Sequence, residues 1–231
     1  MPLHEELAEQ VALIFAGEWS ERRGNVVPES DGVALGKSAV NLSAAVLYAD
    51  LRGSTSLVDS YRPSFAAEVY KAYLHCAAKV IRSEQGAITA YDGDRVMAVF
   101  IGQGKEARAT RAGLKLNWVV KNVVNPSMLR KYPSLIYRCQ QTVGIDVSEL
   151  FVARTGIRGS NDLVWVGRAA NHAAKLSGLP ATHPTWISVD VYNALPATLQ
   201  GTILAPVWEP MDWNEMGGRR IYRTSMWLPV A

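Results

Sequence analysis

Apolar residues in this chain recur at two periods, and the alternation between them predicts its layout. Ala45, Val46, Leu47 and Tyr48 form a short unbroken apolar run of the kind that makes a buried strand. Phe65, Val69, Tyr73, Cys76 and Val80 then recur three or four residues apart and predict a helix. Ala87 to Ile101 reads as two strand-like runs around Asp92-Gly93, the pattern of a hairpin with a tight turn. Ala109, Ala112, Leu116, Val119 and Val123 mark a second helix, which Asn125 and Pro126 are expected to end. Leu135 to Ile145 reads as a long strand with Glu149 to Thr155 as its hairpin partner, and Leu163 to Val166 lead through Gly167 into a helix from Arg168 to Leu179. Ahead of these elements, Leu3, Leu7, Val11 and Ile14 fall on one face of a short helix before Gly17. The stretch from Gly17 to Lys37 has little periodicity and reads as a linker or irregular arm. The division expected is an N-terminal helix and arm over 1–40 and one domain over 41–231. Its fold class is α+β: a ferredoxin-like βαββαβ antiparallel sheet with helices on one face and extra strands.

The first predicted strand ends on a carboxylate, Asp50, and a buried carboxylate needs a cation or strong donors. Arg52, Gly53, Ser54 and Thr55 follow it and can turn the backbone into a helix start, where free N–H groups favour an anion. The plainer reading is a strand followed by a helix with Ser54 or Thr55 as its cap. Asp94 opens the returning strand of the hairpin, and in a split βαβ arrangement that strand runs antiparallel beside the first. Asp50 and Asp94 are then neighbours, and two carboxylates so close stay ionised only with divalent cations between them. Oxygen ligands on adjacent strands beside a phosphate-binding turn point to magnesium or manganese carrying a nucleoside triphosphate.

Composition agrees with a compact enzyme domain. At 231 residues and 48% hydrophobic residues the chain can bury one sizeable core, and a net charge of +3 gives no footprint for nucleic acid. No apolar run is long enough to span a bilayer, and His4, Glu5, Glu6 and Glu9 fall where a signal peptide needs a basic region and an apolar core. Cys76 and Cys139 lack metal-ligand spacing and read as free thiols in a reducing compartment, which implies the cytoplasm.

Three stretches, L-Y-A-D-L-R-G-S-T, G-D-R-V-M-A-V-F and V-G-R-A-A-N-H-A-A-K, together resemble the signature blocks of the class III nucleotidyl cyclase catalytic domain. The resemblance spans Asn41 to Thr224. It implies two metal ions, magnesium or manganese, held by Asp50 and Asp94 with a carbonyl from Leu51, and phosphate cradled by Arg52 to Thr55. It further implies that Asn171 orients the ribose and that the basic residue four positions later stabilises charge on the α-phosphate. The family has arginine there; this chain has Lys175, which keeps the charge without the bidentate fork. Arg219 or Arg220 is a candidate for the β- and γ-phosphates, a solvated edge strand being the alternative. In the family the aspartates come from one chain of a homodimer and the asparagine and basic residue from the other.

The departures bear on the base. Adenylyl and guanylyl cyclases carry lysine or glutamate four residues before the second metal aspartate, and aspartate or cysteine seven before the asparagine; here these positions are Ala90 and Val164. Losing both purine readers leaves either an unselective cyclase or one that reads a pyrimidine through other residues. With Tyr48 two residues before Asp50 and Arg95 directly after Asp94, in a short chain without a fused sensor domain, the sequence resembles the pyrimidine cyclases of bacterial Pycsar anti-phage systems. That resemblance implies UTP as the favoured substrate, cyclic UMP as the product and a separately encoded effector. CTP, or a purine read by unusual contacts, is the catalytic alternative. A ferredoxin-like nucleotide-binding regulatory module is the non-enzymatic one.

Overall fold

The computed structural model describes residues 1–202 and 205–230. The chain opens with helix α1 (Leu3–Phe15), none of whose residues is buried, and strand β1 (Ser20–Arg23). β1 pairs parallel with the start of β2 (Ser38–Leu51), so part of the stretch expected to be irregular is a strand. Its four residues are all exposed, and backbone pairing rather than apolar alternation holds it in place. After β2 come α2 (Ser54–Ser60), α3 (Pro63–Ser83) and the hairpin β3 (Ala87–Asp92) and β4 (Arg95–Ile101). Then follow α4 (Lys105–Val119), α5 (Asn125–Lys131), β5 (Gln141–Ile157), β6 (Ser160–Val166) and α6 (Arg168–Ser177). The chain continues through β7 (Thr185–Ser188), α7 (Val189–Ala194), α8 (Ala197–Gln200), β8 (Gly201–Thr202) and β9 (Ala205–Pro206) to the pair β10 (Glu209–Trp213) and β11 (Arg219–Thr224).

Seven strands lie side by side in the order β10-β11-β7-β5-β2-β4-β3, with β1 and β6 extending β2 and β5. The run β5-β2-β4-β3 is the ferredoxin-like order. β2 sits at its centre, antiparallel to β5 from Ala39 opposite Ala153 to Leu51 opposite Gln141, and antiparallel to β4 from Ala44 opposite Ile101 to Asp50 opposite Arg95. A strand buried on both faces reads as a continuous apolar run, which is why its position was plain in the sequence.

Helices cover both faces of the sheet, not one. Ala45, Leu47, Ala49 and Leu51 pack with Phe65, Val69 and Tyr73 of α3 and Leu114 and Leu116 of α4. The alternate residues Val40, Leu42, Ala44 and Val46 pack with Ala169, Ala170 and Ala173 of α6 on the other side. α6 lies against bare backbone there: a Cβ on Gly144 would stand 2.2 Å from the Ala173 carbonyl oxygen and 2.4 Å from the Ser177 nitrogen.

Three local expectations also change. Asn125 and Pro126 do not end the second helix, because a π-helical turn over Val120–Val124 shifts the hydrogen-bond register and Asn125 N–H donates to the Val120 carbonyl. Pro126 then falls in the first turn of α5, where its missing N–H costs nothing. Residues 135–140 are not strand, and Glu149 to Thr155 continue β5 instead of turning back. The hairpin turn lies at Arg158-Gly159, where Gly159 has φ +84°, and β6 is the true partner. Finally, α2 is capped by Gly53 at φ +70°, not by the side chain of Ser54 or Thr55. No helix among the described residues is long and apolar enough to cross a membrane.

Candidate active site

The antiparallel register assembles the site in rows across the sheet, since directly opposed residues point to the same face. One row runs Thr142, Asp50, Arg95, Asp92 over β5, β2, β4 and β3. The next runs Gly144, Tyr48, Met97, Ala90. Asp50, Tyr48, Arg95 and Ala90 therefore share one face at one end of the sheet. Asp50 is buried, and Arg95 Nη2 donates to its Oδ2 at 3.1 Å. That hydrogen bond, ahead of the opposing effect of burial, raises the Arg95 pKa further above its ordinary value, with Asp92 and Asp94 adding charge attraction. Burial raises the Tyr48 pKa, and the Arg95 charge opposes it.

Asp94 lies beside this pair: its carbonyl accepts the Leu51 N–H at 3.4 Å. Its Oδ2 is buried and has no hydrogen-bond partner, and Arg95 Nε is likewise buried and unpartnered. Leaving a charged acceptor unpaired costs about 1–3 kcal/mol or more, a deficit that a bound cation removes. Asp50, Asp94 and the carbonyl edge at Leu51 form an all-oxygen donor set of the kind magnesium and manganese accept. Among the described residues no group of three or more His, Cys, Asp and Glu side chains is placed to hold a metal, so the remaining ligands here would be substrate and water oxygens.

Tyr73 adds a feature that its sequence position shows only as core. Its hydroxyl is fully buried and unpartnered, and its pKa lies well above the usual range, first through burial and then through Cys139, Asp50 and Asp94. Burial also pushes the Cys139 thiol up to about 12, which leaves it unreactive. In the turn after β2, Gly53 supplies the left-handed residue, and Ser54 and Thr55 open α2. The Arg52 N–H is taken by the Gln140 carbonyl at 2.8 Å.

A second group of candidates sits on α6 and the β10–β11 pair. Asn171 and Lys175 are exposed one turn apart, and Lys175 Nζ lies 3.3 Å from the sulfur of Met216 in the β10–β11 connection. Arg219 is close enough for its charge to act on His172 of α6. Arg220 alternates to the opposite face and pairs with Asp212 at 2.9 Å. No hydrogen bond or ion pair among the described residues joins Asn171 or Lys175 to Asp50 or Asp94. Val164 is exposed on β6 opposite Ala153, on the face away from Tyr48, so one chain does not bring it to Ala90.

The sequence singles out neither Asp146 nor its partners. Asp146 is wholly buried on β5 and meets Arg168 and His172 of α6, and Arg168 also pairs with Asp190. The signal was present, because Asp146 interrupts an apolar strand in the way Asp50 does.

Comparison with known proteins places this geometry. No family model matches the chain. A uridylate cyclase of Xanthomonas perforans is 46% identical over 226 residues, covering 97% of each chain. One of Burkholderia cepacia is 46% identical over 219 residues, covering 94% of this chain and 95% of the other. The chain belongs to the uridylate cyclase family. Its fold is that of the guanylyl cyclase Cya2, with a TM-score of 0.67 at 19% identity over 81% of this chain and 94% of that one. In this cyclase the βαββαβ core carries Asp50 near the end of β2 and Asp94 at the turn into β4.

Proposed function

We propose that the chain converts UTP to 3′,5′-cyclic UMP and pyrophosphate. The observation that carries this reading is buried Asp50 beside Asp94, whose buried Oδ2 lacks any hydrogen-bond partner, in a chain 46% identical to uridylate cyclases over nearly its whole length. The ribose 3′-oxygen attacks the α-phosphorus, its proton leaves, and the bond from the α-phosphorus to the bridging oxygen breaks to release pyrophosphate. Asp50, Asp94 and the Leu51 carbonyl hold manganese or magnesium, two ions per site, which supply a lowered 3′-hydroxyl pKa and neutralise the departing charge. Arg95 leaves Asp50 when the site fills and, with Tyr48, faces the base beside Ala90, where its unpartnered Nε is a free donor for a pyrimidine carbonyl. Gly53, Ser54 and Thr55, with the Arg52 side chain, cradle phosphate. Asn171 orients the ribose and Lys175 stabilises charge on the α-phosphate. Of the two C-terminal candidates, Arg219 suits the outer phosphates better, because Arg220 is paired with Asp212.

The two groups of residues complete one another across a homodimer, the aspartates of one chain meeting Asn171 and Lys175 of the other. That no hydrogen bond or ion pair among the described residues joins the two groups within one chain supports this. Residues 1–40 form an N-terminal arm and 41–231 the catalytic domain. The likeness to Pycsar cyclases supports a cytoplasmic role in anti-phage signalling, with cyclic UMP acting on a separate effector and no contact with nucleic acid or membrane. The test is to incubate the purified chain with manganese and each of ATP, GTP, CTP and UTP and identify products by mass. Cyclic UMP as the main product supports the reading. A cyclic purine nucleotide or cyclic CMP as the main product overturns the base assignment, and no product overturns catalysis.

A further inference from the structure

Apart from the metal end, the chain buries one other charge among the atoms of its central sheet, and it does so directly beneath Asn171 and Lys175. Asp146 is 0% exposed in the middle of β5, on the face that α6 covers. Its Oδ1 accepts the Val147 N–H at 2.8 Å. Arg168 Nε donates to its Oδ2 at 3.2 Å, and His172 Nδ1 lies 3.1 Å from the same oxygen. Arg168 Nη2 also donates to the Val147 carbonyl at 2.7 Å and to Asp190 at the start of α7. The Ala169 N–H donates to Ser148 Oγ at 3.0 Å, and His172 packs edge-on against Trp213 of β10 at 5.6 Å between ring centroids.

Arg168, Ala169 and His172, in the first turn and a half of α6, are therefore each held by β5 or α7. The small residues Ala169, Ala170 and Ala173 leave the first two turns of α6 without a bulky apolar knob, the first being Leu176, which packs with Trp186 and Trp213 farther along. A buried carboxylate held by an arginine and an imidazole in fixed directions keeps those turns in place instead, since any slip strands the charge. Asn171 and Lys175 lie on the same two turns, facing outward. We infer that Asp146, Arg168 and His172 form a positioning clamp that sets the angular placement of α6, and with it the reach of Asn171 and Lys175 to the substrate. The inference rests on the cyclase reading above. Asp146 touches no reacting atom; it acts through the helix.

Because Asn171 and Lys175 act as charge develops, misplacing them lowers kcat more than it raises KM. The isosteric variant Asp146→Asn keeps the acceptor for Val147 and loses the charge that Arg168 and His172 share. In the full chain its kcat with UTP and manganese falls about tenfold or more while KM moves about twofold or less. Arg168→Lys gives a smaller loss of the same kind, and Arg168→Gln a loss near that of Asp146→Asn; these serve if Asp146→Asn does not fold by circular dichroism. Mixing variants then locates the defect. In a shared site, Asp50→Ala mixed with Asp146→Asn regenerates one site with intact aspartates and an intact α6, so activity rises above either alone. Asn171→Ala mixed with Asp146→Asn does not recover, because both lie in the same half. A folded Asp146→Asn with kcat within about twofold of the parent overturns the clamp, as does failure of its mixture with Asp50→Ala when Asp50→Ala plus Asn171→Ala recovers. Failure of that last control mixture overturns the two-chain site instead, and the kcat comparison still decides the clamp.

Discussion

Asp50 and Asp146 are both buried aspartates on adjacent central strands, facing the same side of the sheet, and the chain treats them in opposite ways. Asp146 meets an arginine, an imidazole and a backbone N–H and has no accessible surface. Asp50 has one arginine at 3.1 Å and a neighbouring carboxylate whose outer oxygen is unpartnered. A charge that is fully met is part of the framework. A charge left partly met, beside another with a buried, unpartnered oxygen, is available to a ligand. Burial alone does not separate the two, but the count of partners does.

That contrast can be broken most sharply at Asp50. Changing Asp50 or Asp94 to alanine should reduce pyrophosphate release from UTP by about a thousandfold or more. Asp50→Asn should leave stability within about 1 kcal/mol of the parent in urea titrations, since its pair with a partly exposed arginine is worth little. At Asp146 the effect falls on stability: Asp146→Ala strands Arg168 and His172 and should cost about 3 kcal/mol or more in the same titration. If Asp50 and Asp146 variants lost equal stability, the division between framework and site would fail.

Lys175, proposed to act from the other half of the site, sharpens the comparison. Lys175→Ala should lower kcat about a hundredfold, while Lys175→Arg should stay within about tenfold of the parent, because the charge persists with a different donor geometry. The smallest effect expected is in pH dependence. Burial, with Arg219 and Arg168 nearby, lowers the His172 pKa despite the attraction of Asp146. A depressed histidine favours the folded state above its ordinary pKa of about 6.5, and that contribution is lost as pH falls below it. Melting temperature should therefore drop on going from neutral pH toward pH 5.5 more in the parent than in His172→Gln.

The two aspartates also mark how far the sequence could be read. Asp50 was legible because a carboxylate ends an apolar run beside a turn, and Asp94 because Asp92-Gly93 closes a hairpin that brings it back. Asp146 breaks its strand just as plainly, but its partners lie twenty-two and twenty-six residues on, across a helix whose side of the sheet no local pattern sets. Periodicity tells that 168–177 is an amphipathic helix and not which face of the sheet receives it; the room it needs there comes from Gly144, a single missing side chain. The same limit applies to Ala90 and Val164. Each was picked by distance along the chain from a signature residue, while the faces they occupy depend on the register of β3 and β6, which is set by pairing with β4 and β5. Pro126 misled for a related reason, since a π turn upstream moved it into a position that tolerates proline.

We propose that Asp50 receives a cation and Asp146 does not. The most direct measurement is manganese binding to the intact chain in the presence of 3′-deoxy-UTP, which cannot cyclise, followed by the fall in the electron paramagnetic resonance signal of free manganese. The account predicts that Asp50→Asn loses binding by about a hundredfold while Asp146→Asn stays within about threefold of the parent. Unchanged manganese affinity in Asp50→Asn, or an equal loss in both variants, would contradict it.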